Sequence, residues 1–282
     1  MAGDLRDRLV RLLDDPDRSL TELPVVLLPC LWHLDPHCGC LYAPGGTSDR
    51  FDDHELTQPA FPSEWSVADV LSHLGSGAVI TARRLQDAID GSQTPDGFAP
   101  SVWAEWNSKA PAQQRRDALT ADVQLMGALD AVSDEDRARV TFSMGQMSFN
   151  FAEYVAMRLN EHAFHTWDIE VVHDPSATLP SPVAGAVVDH LELVARFTAR
   201  PTSEQGTIRI ATTDPARSFV IELRPEDVAF VPVEAHDGTV DLELPAEAFA
   251  RLVYGRLDAA HTPATVRDDS LLDALRRVFP GP

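Results

Sequence analysis

At 282 residues, with 44% hydrophobic and 24% charged side chains, the chain has an ordinary globular composition, and its length favours two domains. A formal net charge of -21, with no compact Lys/Arg patch to offset it, disfavours nucleic acid and anionic membrane surfaces as partners. No apolar run reaches the ~18 residues of a membrane span. The stretch Leu23 to Leu31 contains Pro24 and Pro29 and follows no basic segment, so it fails as a secretory signal and the expected compartment is the cytoplasm.

Leu5, Leu9, Leu12 and Leu13 fall on one side of an amphipathic helix predicted over Asp4 to Asp14. From Pro16 to Pro62 regularity fades, punctuated by Pro24, Pro29, Pro36, Pro44 and Gly45-Gly46; a short helix fits around Leu20 to Leu34 and the rest reads as loop. The three cysteines, Cys30, Cys38 and Cys40, lie in this stretch with His33 and His37. An odd number without a signal argues against a disulfide framework. Their order matches no zinc module, and Pro36 and Gly39 favour a plain loop over a second zinc site.

Ser66 is a helix N-cap, with Asp69 placed to close a capping box. Val67, Val70, Leu71, Leu74, Ala78, Leu85 and Ile89 follow at helical spacing, and Gly91 fits the end. Helices are predicted from about Arg115 to Val132 and from about Phe149 to Val172, the second stopped by Asp174-Pro175. Another starts at Ser181-Pro182 and runs to about Ala199. This is the pattern of an antiparallel helical bundle. After Pro201 the period becomes that of strands: Thr207 to Thr212, Ser218 to Leu223, Val228 to Val233 and Thr239 to Leu244. Helices at about Pro245 to Val253 and Ser270 to Val278 close the chain. The predicted class is α+β, a helical bundle over residues 1–202, atypical at 16–60, followed by a small α+β domain over 203–282.

The segment Arg158 to Asp168 is the most informative. Glu161 and His165 are four apart, so on a helix they share a face with Cβ atoms roughly 5–6 Å apart. That lets a carboxylate oxygen and an imidazole nitrogen meet one cation at about 2.0–2.2 Å. The same spacing equally describes a solvated or hydrogen-bonded face. A tight site needs a third ligand, and His73, mid-helix beside the apolar stripe, supplies it unless it is simply a core histidine. Two histidines and one carboxylate leave a fourth position open, the mark of a catalytic metal. Asp168 can orient a ligating imidazole or pair with an arginine. His162 and His173 read as surface or boundary residues.

The stretches Trp65 to Leu74 and Arg158 to Asp168 together resemble the N-terminal domain of the mycothiol-dependent maleylpyruvate isomerase family, a branch of the DinB-like four-helix metalloproteins. The family's hallmarks are W-[ST]-V-x-D-x-x-x-H-L and, further on, R-x-x-E-x-x-x-H-x-x-D; here His73 and Glu161 stand 88 residues apart. The resemblance implies that His73, Glu161 and His165 hold a divalent metal, with zinc the expected ion, and that the thiol of mycothiol fills the open position. Leu244 to Arg256 is similar to a helix ending in a Gly-Arg pair in the sterol-carrier-like domain of many members. That likeness implies Arg256 as the arginine that helps bind an anionic substrate; a cation at a helix C-terminus is also favourable without any ligand.

Two functions of different classes follow. One is a thiol-dependent metalloenzyme, an isomerase or S-transferase, in which a metal-bound thiolate attacks a small electrophile. The other is a non-catalytic metal- or small-molecule-binding protein on the same fold.

Overall fold

The computed structural model describes residues 51–144, 147–234, 238–267 and 269–281. The helix expected over Asp4 to Asp14, the short helix around Leu20 to Leu34 and the segment Cys30 to Cys40 lie outside the described residues. The chain divides into two compact units, Met1–His173 and Asp174–Pro282.

In the N-terminal unit, α1 (Val67–Ile89) begins at a complete capping box. The Ser66 hydroxyl accepts from the Asp69 backbone N–H, and the Asp69 carboxylate accepts from the Ser66 backbone N–H. Its predicted stripe is buried from Val67 to Leu85, and Gly91 follows the last turn at φ +68°. Then come α2 (Phe98–Asn107), α3 (Pro111–Asp130) and α4 (Asp134–Arg139). A hairpin of β1 (Thr141–Met144) and β2 (Met147–Asn150) leads into α5 (Phe151–His173). Phe142 of β1 stacks on Tyr154, one turn into α5, at a centroid distance of 3.9 Å. Helices α2, α3 and α5 all pack on α1, which is the central element of the unit.

The C-terminal unit opens with α6 (Ser181–Val188) and α7 (Leu191–Thr198). One helix was expected here. It breaks at Asp189 and His190, where Arg217 holds the Asp189 carboxylate through two bonds of 2.7 and 3.2 Å. The strands are β3 (Gly206–Thr213), β4 (Arg217–Leu223), β5 (Val228–Val233) and β6 (Leu242–Pro245), in the order β5-β4-β3-β6, with only the β3–β6 pair parallel. One face alternates inward with Ile208, Ile210, Phe219, Ile221 and Phe230, and α8 (Ala246–Val253) covers it, Phe249 lying 5.0 Å from Phe219. Helix α9 (Ser270–Val278) completes the unit. Because α6 packs on α8, and α7 on both β5 and α8, these two helices belong with the sheet. The division therefore falls after His173, earlier than the boundary expected near residue 203, since apolar burial rather than helix content decides the unit.

Helix α8 ends in a Schellman motif: the Gly255 N–H donates to the Leu252 carbonyl at 3.0 Å and the Arg256 N–H to the Arg251 carbonyl at 2.7 Å. Gly255 sits at φ +68°, and a Cβ there would lie 2.3 Å from the Gly281 backbone. We expect Gly255→Ala to lower stability by about 1–3 kcal/mol, the usual cost of a side chain held in that backbone region, read as a reduced urea midpoint.

Candidate metal centre

Two helices supply the site. The capping box at Ser66 and Asp69 sets where α1 starts, and His73 follows seven residues later on the side facing α5. On α5, Glu161 and His165 stand one turn apart. His73 Nε2 lies 2.9 Å from Glu161 Oε2, and His165 Nε2 lies 3.7 Å from the same oxygen. One ligating atom from each of the three residues can be chosen so that all lie within 4.8 Å of one another. Two imidazole nitrogens and a carboxylate oxygen are the donors that zinc and related divalent ions take, so the residues present fit such an ion.

The surroundings aim these atoms. Asp168, fully buried, places Oδ2 2.9 Å from His165 Nδ1. An ionised carboxylate only accepts, so Nδ1 carries the proton and Nε2 presents its lone pair to the site. Of the two roles expected for Asp168, orienting the imidazole is thus met. Trp65 lies over both rings, nearly parallel to His165 at 5.8 Å and tilted to His73 at 5.2 Å. It is held there by the Trp65 N–H to Pro62 carbonyl bond of 2.9 Å, and the segment is pinned to α5 by the Phe61 N–H to Asp168 carbonyl bond of 2.9 Å.

Loss of water around its carboxylate pushes the pKa of Glu161 up. The hydrogen bond with His73, reinforced by the charges of His165, His73 and Arg158, outweighs this and brings it down to about 2. Half of the Glu161 side-chain surface is nevertheless accessible, against 13% for His165. The carboxylate is therefore ionised at any ordinary pH and reachable from solution.

Beneath the site the helices bury a polar group of residues. Arg158, one turn before Glu161, donates from Nη2 to the Leu74 carbonyl at 2.8 Å and lies 3.4 Å from Asp122 Oδ1 of α3. His162, expected at the surface or boundary, is instead buried beside Asp122 because its side of α5 faces the unit's interior. Burial, with the positive charge of Arg158 nearby, holds its pKa well below the usual imidazole range, so it is neutral. His173 is exposed at the end of α5. Arg256 belongs to the C-terminal unit, nearly buried, with Nη1 donating to the Tyr254 carbonyl at 3.0 Å.

Arg158 and Trp65 stood inside the two sequence motifs without a role of their own. Their positions three before Glu161 and one before the N-cap were the available signal. Asp122 left none, because its partner comes from another helix.

Residues 47–170 match the family model described as the mycothiol maleylpyruvate isomerase N-terminal domain. No curated protein matches the chain. Two solved structures share its fold. The crystal structure of a mycothiol-dependent maleylpyruvate isomerase superposes with a TM-score of 0.55 at 14% identity, covering 95% of this chain and 97% of that one. A histidine-to-alanine mutant of that type of enzyme gives a TM-score of 0.53 at 13% identity, covering 91% and 92%. Residues 47–170 are thus similar to the N-terminal domain of this family, and the chain taken whole has the fold of the two maleylpyruvate isomerase structures.

The donor set makes a direct prediction. Purified protein should contain about one divalent ion per chain by elemental analysis, and the His73→Ala, His165→Ala double variant should contain none. Binding should weaken as pH falls, because metal ligands bind in their deprotonated forms and protons compete with the ion, although Glu161 itself stays ionised down to about pH 2.

Proposed function

We propose that the protein is a mycothiol-dependent metalloenzyme that adds a low-molecular-weight thiol to a small electrophilic substrate, either isomerising it or transferring the thiol to it. The observation that carries this reading is the convergence of His73, Glu161 and His165 on one point, with ligating atoms within 4.8 Å. The family domain over residues 47–170 supports it. Three protein donors leave room for a further ligand, as catalytic rather than structural sites do.

His73 and His165 would hold the ion through Nε2 and Glu161 through a carboxylate oxygen; zinc suits this set best. An ion held there would supply Lewis acidity, lowering the pKa of a coordinated thiol towards neutral pH. The chain's own residues do the rest. Asp168 keeps the proton of His165 on Nδ1, so that the ring cannot turn its N–H into the site. Trp65 covers the imidazole faces and excludes water from that side. Arg256 supplies a fixed cation for a substrate carboxylate, in the manner of the anionic substrate that the family resemblance implies. As a user of a reduced thiol, the protein would work in the cytoplasm.

Titrating mycothiol into the cobalt-substituted protein should shift the visible bands, because thiolate coordination changes the ligand field. An unchanged spectrum would favour a non-catalytic metal-binding protein on this fold. With maleylpyruvate as the first substrate tested, Arg256→Lys should lower kcat/KM about tenfold, mainly through KM, because an ammonium cannot reproduce the guanidinium fork. The cobalt spectrum of the resting variant should match the wild type.

A further inference from the structure

We infer that Arg158 is a positioning residue of the metal centre, fixing the register at which α1 presents His73 to Glu161. The inference rests on the metal-binding reading of the site.

The geometry is that of a buried strut. The guanidinium crosses from α5 to α1, where Nη2 donates to the Leu74 carbonyl at 2.8 Å, and reaches α3, where it lies 3.4 Å from Asp122 Oδ1. The Arg158 side chain is 7% exposed and that of Asp122 3%. The contact is made at the residue next to His73 on one helix and one turn from Glu161 on the other. Gly77 provides the seat: a Cβ there would stand 2.9 Å from Arg158 Nη1. Gly77 is one turn beyond His73, and Arg158 one turn before Glu161. The two helices therefore run antiparallel here, with two successive cross-links, His73 to Glu161 and Leu74–Gly77 to Arg158.

Apolar side chains would join three helices with less desolvation than a buried ion pair. What the pair adds is direction. A planar guanidinium bonds only where its acceptors lie, so α1 cannot slide or rotate on α5 without breaking the Leu74 contact. A slip of one residue moves a helix by ~1.5 Å, whereas metal ligands tolerate only about 0.2 Å. Packing alone gives a softer restraint than the site needs.

The test uses full-length protein, with zinc affinity read by chelator competition and geometry read from the cobalt visible spectrum. Arg158→Met is combined with Asp122→Asn so that neither charge is left buried alone. We expect this variant to bind zinc about 10- to 100-fold more weakly and to show displaced cobalt bands, with the melting temperature of the metal-free protein within a few degrees of wild type. Gly77→Ala, which crowds the guanidinium, should weaken zinc binding in the wild-type background and have no further effect in the Arg158→Met, Asp122→Asn background. Wild-type affinity and spectrum in the paired variant would overturn the inference. So would an affinity loss that only tracks a falling metal-free melting temperature with cobalt bands unmoved, or a Gly77→Ala effect that is the same in both backgrounds. A wild-type protein that takes up neither ion would defeat the metal-centre reading itself, and this inference with it.

Discussion

One carboxylate holds the N-terminal unit's chemistry together. Glu161 Oε2 is 2.9 Å from one imidazole and 3.7 Å from another, and the two imidazoles reach it from different helices. A carboxylate drawn partly out of water is unfavourable unless positive or donor groups face it. Here they do, and the outcome is a carboxyl whose pKa falls to about 2 in spite of desolvation. The arrangement demands a fixed phase for α1 relative to α5. If α1 began one residue earlier or later on the same axis, His73 would rotate by about a quarter of a turn and face another neighbour. The capping box at Ser66 and Asp69 therefore contributes more than its local stability, because it sets the phase from which His73 is counted.

The polar residues beneath the site follow from the same demand. Arg158, Asp122, Asn160 and His162 are all buried in the interior of the unit. Such groups reduce stability unless they are satisfied, and the contacts of the Arg158 Nη2 atom offset part of that cost. The guanidinium meets a carboxylate on one helix and a backbone carbonyl on another, and the neighbouring imidazole is kept neutral so that no second positive charge is added. Rigid support of a ligand set commonly takes this form, with polar contacts that fix orientation where packing would fix only distance.

In the C-terminal unit, backbone geometry does the corresponding positioning. The Schellman turn after α8 fixes the path of the chain at Gly255, and with it the point from which Arg256 leaves. Close by, Arg251 is held by Glu247 through bonds of 2.7 and 3.1 Å, so the helix that covers the sheet carries a buried ion pair of its own. The two arginines illustrate how residue type underdetermines role. Arg251 is bound into its own helix by a carboxylate, whereas Arg256 Nη1 donates to a carbonyl of the turn.

What could be read along the chain was local physics. Caps, side-chain periodicity and turn residues act over a few positions, so the start of α1 at Ser66, the strand Val228–Val233 and the helix Ser270–Val278 stood where the pattern put them. The i, i+4 pair Glu161 and His165 was legible for the same reason, and motif resemblance joined His73 to it across 88 residues. Non-local partners decided the remainder. The break at Asp189 accompanies an arginine from a strand, the placement of α6 and α7 with the sheet depends on the apolar face of α8, and the burial of His162 depends on which side of α5 turns inward. Helix α2 and the β1–β2 hairpin escaped notice because short elements have weak periodicity, and the burial of Trp106 and the stacking of Phe142 on Tyr154 come from tertiary contacts. The sequence by itself determined which side chains could share a helix face. Only the tertiary structure decided which faces meet, because burial and ion pairing are settled between elements and not within them.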